Sequence, residues 1–415
     1  EGFTLPAEWK GKELKKGTDT LDVWIDSGCS HRAVLKNMSD LDWPADLYLE
    51  GSDQHRGWFQ SSLWTGMISY QKAPYQRILT HGFVVDGDGR KISKSDGKPQ
   101  TADSYVQKYG ADVLRLWVCS EDFRRDIPLS EEILGQIVRA YRTLRNTLKF
   151  QLGTLHDFNI DQNGMPLENL DLIDRWALFK TNELVKEATE CFESYEIHKT
   201  VQLINRYCSG VLSSTYHDII KDRLYTLDEN DPKRRSTQNS IHHIFQSLVK
   251  LIGPLTPFTA DEAWSFFISG REHTATPLLL EAWPELESAC GDKSTISDAQ
   301  VLLSLRDSHI NESLEKLREE KKIGQSLDAE IELRYPKNDP ISTVLQKRAD
   351  DLAEFFIVSK VTLVEDENEN HLVVIARHAS GFRCPRSWRW VPELVSIEPW
   401  GEVSPRCAKV LSQKI

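Results

Sequence analysis

The sequence has no long apolar run and no targeting segment. No stretch approaches the roughly 18 consecutive apolar residues that a membrane-spanning helix needs, which argues against a membrane protein. Residues 1–6 carry neither the basic start nor the apolar segment of a secretory signal. Because an initiating methionine is also missing, we expect the chain to begin partway through a larger protein.

Cysteine and positive charge are both scarce. Seven cysteines are scattered over 415 residues, and an odd, scattered set does not make a disulfide framework, so we expect a reducing, cytoplasmic setting. The net charge of -12 argues against indiscriminate nucleic-acid binding, because phosphate contacts require positive charge. A nucleic-acid-binding function would depend on basic residues gathered on particular surfaces.

The chain is long enough for two or three domains, and its apolar pattern changes along its length. Short apolar runs alternate with longer mixed segments over residues 21–130, which favours strands alternating with helices and hence a parallel sheet with covering helices. From about residue 130, apolar side chains recur at helical spacing, beginning with Ile133 and Ile137. We predict four segments: an α/β domain at 1–130, a helical domain at 131–290, a helix with a small α+β module at 291–370, and a tail at 371–415.

Two lysines interleaved with serines lie at Lys91-Ile92-Ser93-Lys94-Ser95. Ammonium groups and hydroxyls on a glycine-flanked loop can bind a polyphosphate, although short Lys/Ser loops are also common as solvated turns. Just before them, residues 84–89 contain two Asp-Gly pairs, which favour the positive backbone angles of a tight turn. The loop pattern alone leaves both interpretations open.

A polar cluster follows the apolar run that ends at Leu49. Ligands in parallel sheets lie beyond the carboxyl ends of the strands, where this chain has Glu50, Asp53, Gln54 and His55. These side chains could hold a ligand, or the segment could simply cap and pack the next helix. The residues by themselves favour neither interpretation.

The tail is basic and rich in tryptophan. Residues 371–415 hold seven Lys or Arg against three Glu, in a chain that is otherwise acidic. Trp388, Trp390 and Trp400 lie among the arginines, a mixture suited to stacking on bases and neutralising phosphates. Packing of the tryptophans in a small core is an equal alternative.

Lys91 to Ser95 resembles the KMSKS loop of class I aminoacyl-tRNA synthetases, with Ile92 in the usual methionine position. Further segments resemble the same family and occur in the expected order: 22–28, 49–63, 110–117, 212–223 and 254–264. Together they resemble the carboxyl-terminal portion of bacterial-type isoleucyl-tRNA synthetases over essentially the whole chain. The resemblance implies a partial Rossmann-like α/β nucleotide-binding domain, then an all-α helical-bundle anticodon-binding domain, then a small α+β carboxyl-terminal module.

The same resemblance implies which residues act. ATP, with Mg2+, would be a substrate that is contacted by His81, Gly82 and the loop from Lys91 to Ser95. Lys91 and Lys94 would be the catalytic residues, because a loop that closes on the pyrophosphate leaving group stabilises the transition state of adenylation preferentially. Residues contacting the aminoacyl-adenylate would be Glu50, Gly51, Asp53 and Gln54. A carboxylate there could hold the amino acid's ammonium group or a ribose hydroxyl, and the sequence does not decide which.

For tRNA(Ile), the resemblance implies contacts from the helical domain and the tail. The candidates are Arg139, Arg142, Arg145, Arg386, Trp388 and Arg389. The three helical arginines recur at intervals of three, so a solvated basic face is the alternative for them.

Relatives commonly carry two Cys-x-x-Cys pairs near the carboxyl end, forming a four-thiolate zinc site. This sequence has Cys384 with Ser387, and Ser404 with Cys407, in those positions. A serine hydroxyl stays protonated near neutral pH and is a poor zinc ligand. We therefore predict that zinc is weak or absent, and that the two remaining thiols can approach each other.

Two further features of the resembling family are missing from the sequence. These 415 residues contain neither a His-x-Gly-His motif for ATP binding nor the editing insertion, which the resemblance places before residue 1. Three hypotheses follow: a fragment of an isoleucine-activating and tRNA-aminoacylating enzyme, one half of a split enzyme whose partner is the amino-terminal half, or a non-catalytic tRNA-binding module. In each case we expect the chain alone to be inactive in adenylation.

Overall fold

The computed structural model describes residues 6–90, 101–269, 276–286, 296–337, 339–366 and 371–413. The chain forms two compact units. Unit 1 consists of Glu1–Pro99 with Phe123–Leu129, and unit 2 of Gln100–Asp122 with Ser130–Ile415. Among the described helices, none combines the length and the apolar character that crossing a membrane requires.

Unit 1 is built on a parallel strand pair. Its elements are α1 (Val23–Gly28), β1 (Ala45–Gly51), α2 (Trp58–Tyr70), β2 (Tyr75–His81), β3 (Val84–Val85) and β4 (Ile127–Pro128). β1 and β2 pair in parallel, as do β3 and β4. The predicted parallel arrangement is therefore present, and α2 supplies the crossover that parallel strands require.

Helix α2 is apolar on more than one face. On one side the Trp58 indole stacks on Tyr48 of β1, with ring centroids 4.1 Å apart. On another, Trp64 and Ile68 are 60% and 79% exposed. A helix that is apolar all round is typical of a position covered on several sides, so within the described residues unit 1 leaves apolar surface uncovered.

Unit 2 is mainly helical. Its first elements are α3 (Ala102–Tyr109), α4 (Ala111–Ser120), α5 (Glu131–Thr154), α6 (Ile160–Asn163), α7 (Leu172–Glu193), α8 (Ile197–Arg206), α9 (His217–Thr226), α10 (Pro232–Ile252), α11 (Pro257–Ser269), α12 (Ser297–Leu305) and α13 (Asn311–Glu319). A π-helical stretch, Tyr207–Tyr216, joins α8 to α9 without a break. Helix α10 begins well before the apolar repeat at Ile241, because Asp231 accepts from the Lys233 N–H and Pro232 occupies the first turn.

A small α+β module and the tail complete unit 2. They contain β5 (Ala329–Tyr335), α14 (Pro340–Lys347), α15 (Leu352–Phe355), β6 (Lys360–Glu365), β7 (Val373–His378), β8 (Phe382–Arg383), β9 (Trp390–Val391), β10 (Val395–Ile397), β11 (Gly401–Val403) and α16 (Pro405–Ser412). The sheet order is β6-β5-β7, with β5 parallel to β6 and antiparallel to β7. One continuous apolar core runs from the helices into this sheet, while the tail has a separate small core around Cys384, Val403 and Cys407.

A buried ionic network joins the helices to the module. The Asp174 carboxylate of α7 accepts hydrogen bonds from the Tyr216 hydroxyl (2.7 Å) and from Arg223 of α9 (3.1 Å). Arg223 also pairs with Glu354 of α15. Arg223 is thus salt-linked and also buried, because three helices and the module converge on it.

Near this network, His217 gives the fold a pH dependence. Its ring lies 4.4 Å from Phe150, its Nε2 has no hydrogen-bond partner, and burial lowers its pKa to about 3. Below its ordinary pKa of 6.5 the unfolded chain takes up a proton that the folded chain refuses, so stability falls as the pH drops from 6.5 towards 3. The free energy of unfolding can be measured by urea unfolding at several pH values. In His217→Phe its change with pH should be smaller by the contribution of about one proton.

The exposed His371 provides the matched control for that experiment. His371→Phe should keep the wild-type pH dependence. A His217→Phe variant with the same slope as the wild type would contradict the assignment.

Candidate functional site

The candidate site in unit 1 lies at the carboxyl ends of β1 and β2. The strand register places Glu50 opposite Thr80 and Gly51 opposite His81. The parallel pairing therefore brings together two segments that are about 30 residues apart in sequence and that were assigned to one site. The Glu50 side chain is exposed, and its Oε2 accepts a hydrogen bond from the Gly51 N–H at 3.3 Å.

Residues 52–56 form a 3-10 turn that leads into α2. Gln54 caps the start of α2, because its Oε1 accepts a hydrogen bond from the Trp58 N–H at 3.0 Å. The Gln54 amide also donates a hydrogen bond to the Asp53 carboxylate at 3.3 Å. Asp53 itself is exposed. Gln54 is thus held by the helix, whereas the carboxylates of Asp53 and Glu50 form no ion pair with any other described residue.

On the β2 side, the candidate site is formed by His81 and Gly82. The His81 Nδ1 lies 2.7 Å from the Gly82 carbonyl oxygen, and the Gly82 N–H donates to Phe123 at 2.8 Å. A Cβ on Gly82 would lie 2.3 Å from the backbone of Arg125. Only glycine therefore allows the end of β2 to approach residues 123–126 this closely.

The predicted turn after β3 is present. The Asp86 carboxylate accepts from the N–H groups of Asp88 and Arg90, at 2.9 and 2.8 Å, and Gly89 has φ +76°. This is a turn held by an aspartate side chain, with glycine at the left-handed position. The predicted catalytic and ATP-binding residues Lys91, Ile92, Ser93, Lys94 and Ser95 follow it directly and lie outside the described residues.

Of the three predicted tRNA-binding arginines on α5, only some are available for a ligand. Arg139 and Arg142 are exposed, and no described carboxylate pairs with either of them. Arg145 is paired with Glu262 of α11 at 2.8 Å. The helix therefore presents two unpaired guanidinium groups and one that is already neutralised.

The basic residues of the tail are divided between internal contacts and the surface. Arg386 donates to the carbonyl oxygen of Thr226 at 2.6 Å, and Arg389 donates to Asp222 at 3.1 Å and to the Val358 carbonyl oxygen at 2.7 Å. Both arginines thus hold the tail against the end of α9. Between them, Trp388 remains 53% exposed.

An aromatic surface surrounds Trp388. The Arg383 guanidinium lies 5.8 Å from the centre of the Trp388 ring, and the nearby Tyr225 is 63% exposed. Trp388 and Tyr225 border a cavity of about 630 Å³ between α9, residues 325–327 and the tail. Trp390 points elsewhere, because its indole N–H donates to Asp328 at 3.1 Å and its ring packs on His378.

Asp222 anchors the tail, a role that the sequence pattern did not reveal. Arg406 of α16 donates two hydrogen bonds to it, at 2.8 and 2.9 Å, in addition to the contact from Arg389. Burial alone would raise the pKa of this carboxyl, but the two arginines outweigh burial and lower the pKa to about 2. The only signal in the sequence was an acidic residue within a helix next to a basic tail.

The four positions that resemble a zinc site do not supply a zinc donor set. The Cys384 and Cys407 sulfurs are 3.8 Å apart and fully buried. The Ser404 hydroxyl accepts a hydrogen bond from the Cys407 N–H at 3.3 Å, so it acts as the N-terminal cap of α16. Two thiols and two hydroxyls do not meet the four-donor requirement of structural zinc, and no other cluster of three His, Cys, Asp or Glu occurs in the described part of the chain.

Residues 5–130 match the family model of class I tRNA synthetases for I, L, M and V, and residues 174–333 match the anticodon-binding domain of tRNA ligases. The chain is 41% identical to the isoleucine-tRNA ligase of Thermoanaerobacter sp. (strain X514) over 420 residues, which cover 99% of the chain and 45% of that protein. It is 43% identical to the isoleucine-tRNA ligase of Thermotoga maritima over 414 residues, again 99% of the chain and 45% of the relative.

Among solved structures, the fold is similar to the LeuRS of Agrobacterium radiobacter K84, determined as a ternary complex with tRNA and LeuAMS. The TM-score is 0.52 at 16% identity, covering 89% of this chain and 43% of that one, so the similarity concerns the fold alone. The chain spans less than half the length of the curated relatives named above. Over that span it belongs to the class I aminoacyl-tRNA synthetases as a homologue of the isoleucine-tRNA ligases.

Proposed function

We propose that this chain supplies three parts of an isoleucine-tRNA ligase: the ATP loop, the wall that contacts the aminoacyl-adenylate, and the surface that binds the anticodon region of tRNA(Ile). The reaction would be ATP-dependent activation of isoleucine followed by its transfer to tRNA. The observation that carries the proposal is the edge of β1 and β2. There Glu50 and His81 lie at the carboxyl ends of adjacent parallel strands, and the chain continues through the Asp86 turn directly into Lys91.

The chemistry of this edge suits an adenylate. The exposed carboxylates of Glu50 and Asp53 can accept hydrogen bonds from an ammonium group or from ribose hydroxyls. Lys91 and Lys94 would stabilise the charge that accumulates on pyrophosphate as it leaves, an electrostatic role that needs no covalent intermediate. His81 and Gly82 would line the ATP side of the same edge, and Gly82 permits the close approach of the Arg125 backbone to the end of β2.

The uncovered apolar surface of unit 1 supports the proposal that a further part of the enzyme packs against it. Leu49 and Ile78, on the two paired strands, are exposed, as are Trp64 and Ile68 of α2. Exposed apolar surface of this kind marks an interface, and the first ATP-binding motif of the family is absent from the sequence. We propose that the amino-terminal half of the enzyme covers these faces and supplies that motif.

Isoleucine-dependent exchange of pyrophosphate into ATP tests the proposal. We expect no exchange with the chain alone and measurable exchange when the chain is joined to, or mixed with, the amino-terminal half of an isoleucine-tRNA ligase. Exchange by the isolated chain would contradict the missing-half proposal. Tight tRNA binding without exchange in any mixture would favour a non-catalytic tRNA-binding module.

For tRNA binding, Trp388, Arg139 and Arg142 present exposed groups. In this proposal the internal contacts of Arg386 and Arg389 have a different purpose, because they fix the loop on which Trp388 is displayed. Arg145 would add a phosphate contact only by exchanging its pairing with Glu262. A fixed aromatic ring among guanidinium groups is the arrangement that stacks on unpaired bases.

We expect Trp388→Ala to weaken tRNA(Ile) binding by about fivefold or more, since stacking on one base contributes roughly 1–3 kcal/mol. The measurement is the dissociation constant from a titration at fixed salt concentration. Trp400→Ala is the matched control, because Trp400 is equally exposed and does not border the cavity beside α9. Equal affinities for the wild type and the Trp388 variant would remove Trp388 from the interface.

A further inference from the structure

The two cysteines of the tail form a close and isolated thiol pair. The Cys384 and Cys407 sulfurs are 3.8 Å apart, and both side chains are fully buried. The backbone N–H of Ser404 donates to the Cys384 sulfur at 3.3 Å, which fixes the position of that sulfur. Among the described cysteines, no other two are in contact with each other.

We propose that Cys384 and Cys407 form a redox-active pair that closes to a disulfide when the protein meets a peroxide. A disulfide bond is about 2.05 Å long, so the sulfurs must approach each other by less than 2 Å, a distance within reach of side-chain rotation. The two serines leave the pair without the donors that would hold it apart on a zinc ion. Among the described cysteines, each of these two thiols therefore has the other as its sulfur partner.

The pair lies where a covalent bond would have the largest effect on the tail. Cys384 begins the loop of residues 384–389, which is closed by the hydrogen bond from the Cys384 N–H to the Arg389 carbonyl oxygen at 2.9 Å. Cys407 lies in the first turn of α16, next to Arg406, which binds Asp222. A disulfide would join this loop, which displays Trp388, to the helix that anchors the tail on α9.

The chemistry balances with hydrogen peroxide as the oxidant. One thiol attacks the peroxide bond and becomes a sulfenic acid with release of one water. The second thiol attacks that sulfur, forms the sulfur–sulfur bond and releases a second water. The cysteines together lose two hydrogens and two electrons, and the peroxide is reduced to water. A cavity of about 720 Å³ is bordered by Ser387, Ser404 and Arg406, which are close in sequence to the two cysteines.

The experiment uses the whole chain, purified with a reductant and then treated with hydrogen peroxide. Remaining thiols are alkylated, and the protein is mapped without reduction by mass spectrometry. We expect a cross-linked peptide containing Cys384 and Cys407 that a reductant releases. We also expect a higher thermal midpoint for the oxidised protein than for the reduced protein, because the cross-link restricts the unfolded chain.

Two variants sharpen the test. Cys384→Ser should lose both the cross-link and the rise in midpoint, whereas Cys191→Ser, at a partly buried cysteine of α7, should keep both. The wild-type peptide map decides the question even if Cys384→Ser fails to fold. Free thiols or sulfinic acids at both positions after treatment would overturn the proposal, and so would one tightly bound zinc per untreated chain.

Discussion

Replacing Lys94 by alanine, in a complete enzyme that carries this chain, is expected to slow isoleucyl-adenylate formation about 10²- to 10³-fold, the usual cost of removing one preorganised group that stabilises transition-state charge. The loss should appear in the rate at saturating ATP more than in the ATP concentration needed for half-maximal rate. A loop lysine that engages the departing pyrophosphate contributes mainly in the transition state. Pyrophosphate exchange at varied ATP concentration measures both quantities.

Lys108→Ala provides the control for that variant. Lys108 is an exposed lysine of α3 that pairs with Glu131, and its removal should leave the exchange rate nearly unchanged. The affinity of the Lys94 variant for tRNA(Ile) should equal that of the wild type, because the proposed tRNA surface lies in unit 2. An unchanged exchange rate, or an equal loss with Lys108→Ala, would remove Lys94 from its role.

The second large effect is expected at Arg223. Its guanidinium is buried between Asp174, Glu354 and Asp171, which lies 2.9 Å away. Arg223→Ala leaves Asp171 and Asp174 without their counter-ion, while Glu354 keeps Lys233 at 3.6 Å, and breaking a buried ion pair from one side costs about 3–5 kcal/mol. Urea unfolding of the whole chain can be followed by a spectroscopic signal from the helical unit. The midpoint should move to a lower urea concentration, and the free energy of unfolding should fall by that amount.

Arg145→Ala is the matched control, since its pair with Glu262 is half exposed and such pairs contribute about 1 kcal/mol or less. The pH dependence adds a second readout. Burial already raises the pKa of Asp174 to about 6 against the attraction of Arg223, so removing Arg223 should raise it further. The folded variant would then hold a proton that the unfolded chain releases, so its stability should go on falling as the pH rises above about 6, where the wild-type contribution of Asp174 levels off. A loss equal to that of Arg145→Ala would contradict the role of Arg223.

Several features of the chain followed from local sequence rules. Parallel strands were indicated by the alternation of apolar runs over residues 21–130, and β1 with β2 confirms them. The Asp-Gly pairs before Lys91 indicated the turn that Asp86 closes. Helical spacing from Ile133 onward indicated α5. These rules succeed because backbone sterics, apolar periodicity and short-range hydrogen bonds act between residues that are near one another in the chain.

The sequence by itself thus determined the class of fold and the turn that precedes Lys91, whereas the meeting of Glu50 and His81 at one edge follows from the pairing of β1 with β2. Only the tertiary structure decided which charged groups are available. Arg389 turns inward to Asp222, and Arg223 reaches Glu354, across separations of 167 and 131 residues. The approach of Cys384 and Cys407, in contrast, was predicted from the sequence, and the structure confirms it with a sulfur–sulfur distance of 3.8 Å. The physical reason is that burial and charge pairing depend on which helix faces which neighbour, and local periodicity specifies a buried face without specifying its partner.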